Sequence, residues 1–236
     1  MKTAIVTGAT GGIGQIVVER LTQDGFRVVA TGTRELLLKE LARRTGCETL
    51  GLDIRDAAQV NEMLAPLEAD IIVHAAGILG PQVAIHETSA ETVSSILSIN
   101  IAGTINVLRA AIPSMVRRAE GTVVLLGSIC GNAAGAGPGV YSASKAALQS
   151  IASNLRFELR GTGIRISEIR LGRVRTGIHE QLQSGVDFYD GYDCILPENV
   201  ADTVLHVLNS PASVDLSIIE MMPTRQVVGG TYFSKT

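Results

Sequence analysis

Short apolar runs alternate with longer stretches of helical period along almost the whole chain, and no other feature constrains the fold as strongly. The first four runs read KTAIVT, RVVAT, ETLGL and DIIVHAA. Strands rich in β-branched residues and joined by helical crossovers build a parallel sheet that helices cover on both faces. Because such crossovers are right-handed, the chain is predicted to form a doubly wound α/β fold with about seven strands.

Three further runs complete the predicted sheet, namely GTVVLLGS, GIRISEI and residues 216–220. Helices are predicted over residues 141–160 and 197–208, and residues 90–118 have helical period with Pro113 interrupting it. No linker divides the alternation, so we expect one domain over residues 1–236. Only residues 172–196 depart from the pattern, and a loop of that length in a compact domain is usually functional.

The composition favours a small-molecule partner. Hydrophobic residues make up 46% of the chain and the formal net charge is −3. Nucleic-acid or anionic-membrane surfaces need a basic patch, and no Lys/Arg run exceeds two residues, so neither partner is expected. The three cysteines are widely separated and show no metal or redox spacing. Together with the lack of a long uninterrupted apolar run, they predict a cytoplasmic protein without a metal site.

The glycine-rich stretch TGATGGIG, residues 7–14, follows the first predicted strand and opens the first predicted helix. In doubly wound sheets, ligands bind beyond the carboxyl ends of the strands. Side chains at Gly8, Gly12 and Gly14 would crowd the turn, block a pyrophosphate and hold the helix off the sheet. The helix N-terminus attracts phosphate. This position predicts a Rossmann-type dinucleotide site, and a glycine-rich turn without a ligand is the alternative.

The ends of the second and third strands indicate which dinucleotide is bound. Where NAD-binding folds carry an acid for the ribose hydroxyls, this chain has Gly32, Thr33 and Arg34. A guanidinium pairs with the 2′-phosphate of NADP, so NADP(H) is favoured over NAD(H); a surface arginine is the alternative. Asp53 is suited to accept a hydrogen bond from the adenine amine, whereas Asp56 is predicted to cap the next helix.

Tyr141 and Lys145 in YSASK lie four residues apart and therefore share one helical face. On its own this pair describes the solvated first turn of many helices. Here it follows Ser128, at the end of the fifth predicted strand, by thirteen residues. After the fourth strand, HAAG brings small residues to the same edge of the sheet.

These elements together resemble the short-chain dehydrogenase/reductase family over essentially the whole chain: TGATGGIG, Asp53, HAAG, Asn100 in SIN, Ser128 and YSASK. Within that family, the stretches LDIRDAAQVNEML, GIRISEIRLG and LPENVADTVLHVLNSPASVDLSIIEMMPTRQ are most similar to the NADP-dependent 3-hydroxy acid (serine or allo-threonine) dehydrogenases. The resemblance implies hydride transfer between a nicotinamide and a small carbonyl or secondary alcohol.

The resemblance also implies a role for each catalytic residue. Tyr141 is the general acid or base, and Lys145 with the oxidised nicotinamide is expected to lower its pKa below the ordinary value of about 10. Lys145 further holds the ribose hydroxyls. Ser128 donates a hydrogen bond to the substrate oxygen, and Asn100 anchors a water of the proton relay through Lys145.

The cofactor residues implied by the resemblance are Gly8, Thr10, Gly11, Gly12, Ile13, Gly14, Thr33, Arg34, Asp53, Ile54, Ala75, Ala76, Gly77, Tyr141, Lys145, Leu171, Gly172, Val174 and Thr176. Two positions depart from the family pattern. His74 replaces the first asparagine of NNAG, and we interpret it as structural, with a strand-bridging hydrogen bond either remade by the imidazole or lost. Leu171 replaces the proline of the family's PG motif, so a looser turn over the nicotinamide is expected.

The segment 172–196 corresponds to the family's substrate lid, and one of Arg170, Arg173 and Arg175 is a candidate for binding a substrate carboxylate. Two other functions remain open: a 3-oxoacyl carrier-protein reductase, which needs a basic docking patch, and a catalytically silent NADP-sensing regulator. By resemblance the protein is also expected to form a homo-oligomer, either a tetramer or a dimer, through its long helices.

Overall fold

A single parallel sheet forms the centre of the protein. The computed structural model describes residues 1–179 and 193–225. Its strands are β1 (Thr3–Thr7), β2 (Arg27–Gly32), β3 (Glu48–Gly51), β4 (Ile71–His74), β5 (Gly121–Ser128), β6 (Ile164–Leu171) and β7 (Ile218–Met221). All neighbours pair in parallel, in the order β3-β2-β1-β4-β5-β6-β7. The predicted doubly wound sheet is confirmed.

Helices connect the strands and cover both faces of the sheet. They are α1 (Gly12–Gln23), α2 (Glu35–Thr45), α3 (Ala57–Leu64), α4 (Ala90–Leu97), α5 (Thr104–Arg118), α6 (Gly139–Glu158) and α7 (Pro197–Asn209). Short 3-10 helices cover Ala65–Leu67, Ile85–Glu87, Ile129–Gly131 and Gly177–His179. Both α6 and α7 lie within two residues of the helices predicted over residues 141–160 and 197–208.

The alternation of side chains along each strand builds two cores. On β1, Ala4 and Val6 pack against α1, α2 and α7, whereas Ile5 points to the opposite face and packs with α3, α5 and α6. All three side chains are fully buried. Both faces are therefore apolar, which explains why the strands read as continuous hydrophobic runs.

The prediction that Pro113 interrupts the helix over residues 90–118 is wrong, because α5 continues through Pro113. The irregularity lies at Ser98–Gly103, a π-helical turn between α4 and α5. At its end a Cβ atom on Gly103 would lie 2.6 Å from the Ile54 side chain, so only glycine lets this turn approach the loop after β3.

By length and composition, the continuous helical segment Ala90–Arg118 could cross a membrane. In this fold it instead packs against α3, α6 and β5. Seven residues of α5 are buried there, as in the core helix of a globular protein.

The topology places a ligand crevice between β1 and β4. From β1 the chain moves outward to β2 and β3, then returns to β4 on the other side of β1. The connections leaving β1 and β4 therefore run in opposite directions and leave a gap at the carboxyl ends of these strands, where doubly wound folds bind ligands.

Candidate active site

The glycine-rich turn closes tightly on the end of β4. Gly8 has a φ of +65°, and a Cβ atom there would lie 2.7 Å from the Cα atom of Ala76. A Cβ atom on Gly14 would strike the Gly8 carbonyl oxygen, so the helix begins directly against the turn. Any larger residue at Gly8 or Gly14 would force the glycine-rich turn away from the segments it packs against.

The N-terminus of α1 opens into the crevice. Its N-cap residue, Gly11, supplies no side-chain hydrogen bond to the first turn. Thr176 covers Gly12, because a Cβ atom at Gly12 would lie 2.8 Å from the Thr176 Cβ atom. The segment after β6 therefore reaches across to the glycine-rich turn, and the predicted cofactor residues Gly12 and Thr176 are neighbours.

Arg34 extends from the end of β2 over the same turn. Its Nε atom donates to Thr10 Oγ1 at 3.1 Å and its guanidinium also donates to the Thr10 carbonyl oxygen. Both Arg34 and Thr33 are exposed. The structure thus brings a guanidinium and a hydroxyl together beside the glycine-rich turn, where the sequence predicted a 2′-phosphate contact.

Asp53 lies at the outer side of the crevice, and its carboxylate already accepts from Arg55. Arg55 Nε lies 3.0 Å from both carboxylate oxygens, and this pairing lowers the pKa of the carboxyl group. Ile54 buries its side chain and accepts from Asn106 at its carbonyl oxygen. Asp56 caps α3 by accepting from Ala58 and Gln59 at 3.0 Å each, as predicted.

The end of β4 is held by His74, which forms the hydrogen bonds that the family asparagine was expected to make. His74 is buried, with Nδ1 2.8 Å from Thr7 Oγ1 and Nε2 2.9 Å from Thr104 Oγ1. The bridge between strands is therefore remade by the imidazole. Beyond it, the small residues Ala75, Ala76 and Gly77 line the crevice, and a Cβ atom at Gly77 would lie 3.8 Å from Lys145 Nζ.

Tyr141, Ser128 and Lys145 meet where β5 and the first turns of α6 adjoin this crevice. The Lys145 Nζ atom lies 5.7 Å from the centre of the Tyr141 ring and donates to the Leu126 carbonyl oxygen at 3.0 Å. Ser128 is buried, accepts from the Cys130 N–H group at 3.2 Å and donates to the Leu171 carbonyl oxygen at 3.4 Å.

In the protein alone, Lys145 does not lower the Tyr141 pKa as expected, and the effect of the oxidised nicotinamide on that pKa stays a prediction. Burial raises the pKa of the Tyr141 phenol well above its usual range, a negative charge on Cys130 raises it further, and the nearby Ser128 hydroxyl only partly opposes this rise. The Lys145 ammonium instead faces the Leu126 carbonyl oxygen. Burial also lowers the pKa of Lys145 to about 8, while Cys130 and Glu168 oppose that shift.

Asn100 lies in the π-helical turn and connects three parts of the site. Its side-chain amide pairs with both the N–H group and the carbonyl oxygen of Ile78, each at 2.9 Å, and donates to Ser144 Oγ at 3.0 Å. Ser144 in turn donates to the Tyr141 carbonyl oxygen at 2.7 Å. Asn100 thus ties the loop after β4 to the first turns of α6.

Leu171 does not loosen the chain as expected. It is the last residue of β6, is paired with Ser128 on one side and Met221 on the other, and is buried. The chain beyond it is also held, since Gly172 donates to the Met221 carbonyl oxygen at 2.8 Å and Val174 bridges to Ile195. Leu171 is therefore held as part of the strand.

The three candidate arginines have different surroundings. Arg170 donates to Glu168 at 3.1 Å in a pair where the Glu168 side chain is fully buried. Arg173 is buried and Arg175 is exposed. The predicted lid continues into residues 180–192, which lie outside the described part of the chain.

Sequence reasoning missed four polar residues that shape the site: Thr7, Thr104, Ser144 and Glu168. Ser144 stands inside YSASK, so its closeness to Tyr141 was visible, but its bond to Asn100 joins residues 44 apart in the chain. No local pattern marks Thr104 or Glu168.

Comparison with known proteins agrees with this geometry. The family model for short chain dehydrogenases matches residues 2–187. The chain belongs to this family. An NADP-dependent 3-hydroxy acid dehydrogenase of Escherichia coli K12 is 36% identical, with 96% of each chain covered. A probable NADP-dependent dehydrogenase of Haemophilus influenzae is 33% identical, with 99% of this chain and 98% of the relative covered.

Solved structures of short-chain dehydrogenases match over the same length. The closed form of a serine dehydrogenase complexed with NADP+ superimposes with a TM-score of 0.92 at 34% identity, covering 99% of this chain and all of the other. The serine dehydrogenase from Escherichia coli gives 0.84 at 34% identity, covering 95% and 99%. The predicted family, fold and enzyme class are confirmed.

Proposed function

We propose that this short-chain dehydrogenase is an NADP(H)-dependent oxidoreductase that interconverts a small carbonyl compound and its secondary alcohol, with 3-hydroxy acids as the favoured substrate class. The observation that carries the proposal is the meeting of Tyr141, Ser128 and Lys145 beside the glycine-rich turn. A phenol, a hydroxyl and an ammonium group then adjoin a dinucleotide crevice, which is the set of groups that carbonyl reduction needs.

The residues of the crevice fit NADP(H). Gly8 and Gly14 let the turn close against β4 and the first turn of α1. The uncapped N-terminus of α1 offers N–H groups to a pyrophosphate. Arg34 and Thr10, already joined by hydrogen bonds, supply a charge and a hydroxyl for a 2′-phosphate. The NADP-dependent relatives support the same choice.

Each residue of the cluster has one task in the proposed reaction. When bound in the crevice, NADPH would supply the hydride for the carbonyl carbon. Ser128 holds the carbonyl oxygen by a hydrogen bond, and Tyr141 delivers a proton to that oxygen. Because burial raises the Tyr141 pKa, the phenol stays protonated at neutral pH, as a general acid must be. In the reverse direction Tyr141 accepts the proton.

Lys145 and Asn100 support this proton transfer. With a pKa of about 8, Lys145 is mostly cationic at neutral pH, and its proposed task is to hold the ribose hydroxyls of the bound cofactor. The family relay runs from Lys145 through a water to Asn100, and the buried position of Asn100 beside Ser144 is compatible with that role.

The proposed substrate class rests on the relatives and on the arginines after β6. The serine and 3-hydroxy acid dehydrogenases among the relatives act on hydroxy acids by name. Arg170 is paired with Glu168, and a substrate carboxylate bound by Arg170, Arg173 or Arg175 stays a hypothesis.

A carrier-protein reductase is less well supported. The arginines that could form its docking patch are already engaged, since Arg117 pairs with Glu68 and Arg118 with Asp70. Arg156 donates to two backbone carbonyl oxygens and Arg160 stacks on Phe157. A silent regulator is disfavoured because all four catalytic positions carry the family's residues.

We also propose a cytoplasmic homo-oligomer, either a tetramer or a dimer. Exposed apolar side chains on the long helices support the assembly, notably Ile105 and Val116 on α5 and Phe157 on α6. Light scattering of the purified protein measures its mass, and a monomer at micromolar concentration would contradict this part of the proposal.

The decisive experiment measures NADPH oxidation against aldehydes, ketones and 3-oxo acids, and NADP+ reduction with 3-hydroxy acids, with NADH and NAD+ as controls. Tyr141→Phe is expected to lower kcat by at least about 100-fold while NADPH binding, followed by fluorescence, is kept. Ser142→Ala, in the same helical turn, is the matched control and keeps wild-type turnover. NADPH binding without turnover of any substrate would refute the enzymatic function.

A further inference from the structure

His74 lies at the centre of a buried row of hydrogen bonds that the catalytic roles above do not use. The imidazole is 2% exposed and lies between Thr7 Oγ1 at 2.8 Å and Thr104 Oγ1 at 2.9 Å. Thr7 and Thr104 are equally buried. The ring therefore joins the end of β1 to the start of α5.

One arrangement of protons satisfies every group in this row. The Thr104 hydroxyl donates to the Asn100 carbonyl oxygen at 2.7 Å, so its oxygen accepts from His74 Nε2–H. The Thr7 hydroxyl then donates to Nδ1, while its oxygen accepts from the Ala76 N–H group at 3.4 Å. The opposite tautomer would leave the Asn100 carbonyl oxygen without the Thr104 proton.

The row continues from Asn100 into the catalytic helix. The Asn100 side chain donates to Ser144, and Ser144 donates to the backbone carbonyl oxygen of Tyr141. A continuous set of hydrogen bonds thus runs from Thr7 through His74, Thr104, Asn100 and Ser144 to the turn that carries Tyr141.

His74 does not become an imidazolium in neutral solution. Burial, and secondarily the charge of Lys145, lower its pKa to about 3. A neutral imidazole with a fixed tautomer places one donor and one acceptor on opposite edges of a rigid ring. That suits holding two hydroxyls in fixed orientations.

We propose that His74 is a positioning residue for proton transfer at Tyr141. Through Thr104 it holds the backbone of Asn100 in place, and Asn100 is the residue to which the water relay runs in the proposed function. The inference rests on that function but names an element outside the family's catalytic set. The Thr104 hydroxyl also binds a carbonyl oxygen of the π-helical turn, that of Asn100.

The test compares Thr104→Val with Thr104→Ser in the full-length protein. Valine keeps the volume and removes the hydroxyl, and serine restores the hydroxyl. Ser114→Ala is the matched control, because Ser114 is a buried hydroxyl on the same helix that donates to a backbone carbonyl oxygen at 3.0 Å, away from His74.

Thr104→Val is expected to lower kcat roughly 10-fold, which is less than the rate enhancement that general acid–base catalysis usually provides. The same variant is expected to increase the solvent deuterium isotope effect on kcat. The dissociation constant of NADPH stays within about twofold. Thr104→Ser regains most of the wild-type kcat and the wild-type isotope effect, and Ser114→Ala matches wild type in both.

A second measurement needs neither cofactor nor turnover. Nitrogen-15 NMR of the histidine side chains is expected to show His74 as the neutral Nε2–H tautomer in the wild type and in Ser114→Ala, and a changed Nε2 environment in Thr104→Val. An Nδ1–H tautomer or an imidazolium at neutral pH would overturn the proton arrangement.

The outcomes separate the positioning role from the proposed function. An active wild type whose Thr104→Val variant loses no more turnover than Ser114→Ala overturns the positioning role alone, as does a failure of Thr104→Ser to restore turnover. A wild type that binds NADPH but turns over nothing overturns both.

Discussion

The buried imidazole of His74 makes the stability of the protein depend on pH in a calculable way. Its pKa is lowered from 6.5 to about 3 in the folded protein by burial and by the charge of Lys145. Between these two values the unfolded chain binds a proton that the folded protein does not, so the free energy of unfolding falls as the pH falls. This loss of stability is absent at pH values above the His74 pKa of the unfolded chain. It is complete at pH values below the His74 pKa of the folded protein.

The magnitude can be worked out from the two pKa values. Between about pH 7 and about pH 5, the proton taken up by the unfolded state lowers the free energy of unfolding by roughly 2 kcal/mol. His74→Asn removes the titrating group, so the variant should lose about 2 kcal/mol less than the wild type over the same interval, although its stability at neutral pH is lower. The comparison therefore uses the change with pH and not the absolute stability.

Urea unfolding followed by circular dichroism at the two pH values measures this difference, since the chain has no tryptophan to report by fluorescence. His86→Asn is the control, because His86 is exposed and loses no hydration on folding. An equal pH-dependent loss in His74→Asn and wild type would refute the claim that His74 is neutral and buried in the folded state.

Three further predictions test the crevice and the sheet. Arg34→Gln should raise the KM for NADPH roughly 10-fold or more with little change in kcat. Arg43→Gln, which changes an exposed arginine of α2, should leave the KM for NADPH unchanged. Equal KM values for the two variants would contradict the assignment of Arg34 to the 2′-phosphate. Gly8→Ala should abolish NADPH binding and cost far more stability than Gly25→Ala, which shares a positive φ but has open space around it; equal melting temperatures would contradict the clash with the end of β4. Arg170→Met should lower the free energy of unfolding by about 3–5 kcal/mol by leaving a buried carboxylate unpaired, and a loss under about 1 kcal/mol in urea unfolding would contradict that pairing.

The fold could be predicted from the sequence because its signals are local and repeat. The strand β5 matches the predicted run GTVVLLGS residue for residue, since a short apolar run that contains β-branched residues and is bounded by glycine and serine has few other structures available. The glycine-rich turn was recognised from its position between a strand and a helix. The structure adds that Gly8 packs directly against the backbone of Ala76, which the sequence does not show.

The electrostatics of the site could not be predicted in the same way. The Tyr141 pKa depends on how deeply the phenol is buried and on where the Lys145 ammonium points, and both are set by packing between distant segments. The same holds for Thr104 and Ser144, whose partners lie 30 and 44 residues away. Helical period alone also hid the π-helical turn, because its irregularity comes from tertiary contacts.

That turn, Ser98–Gly103, acts as a register shift between α4 and α5. Each residue added to or removed from a helix rotates the remainder of that helix by about 100°. Deleting one residue here would let a regular α-helix form. It would also rotate α4 relative to α5, so that the buried face of α4, which includes Ile96, would no longer point in the same direction as the buried face of α5. A length change in these six residues is therefore expected to disturb Asn100 and the core together, whereas a length change in the exposed loop around Val83 should disturb neither.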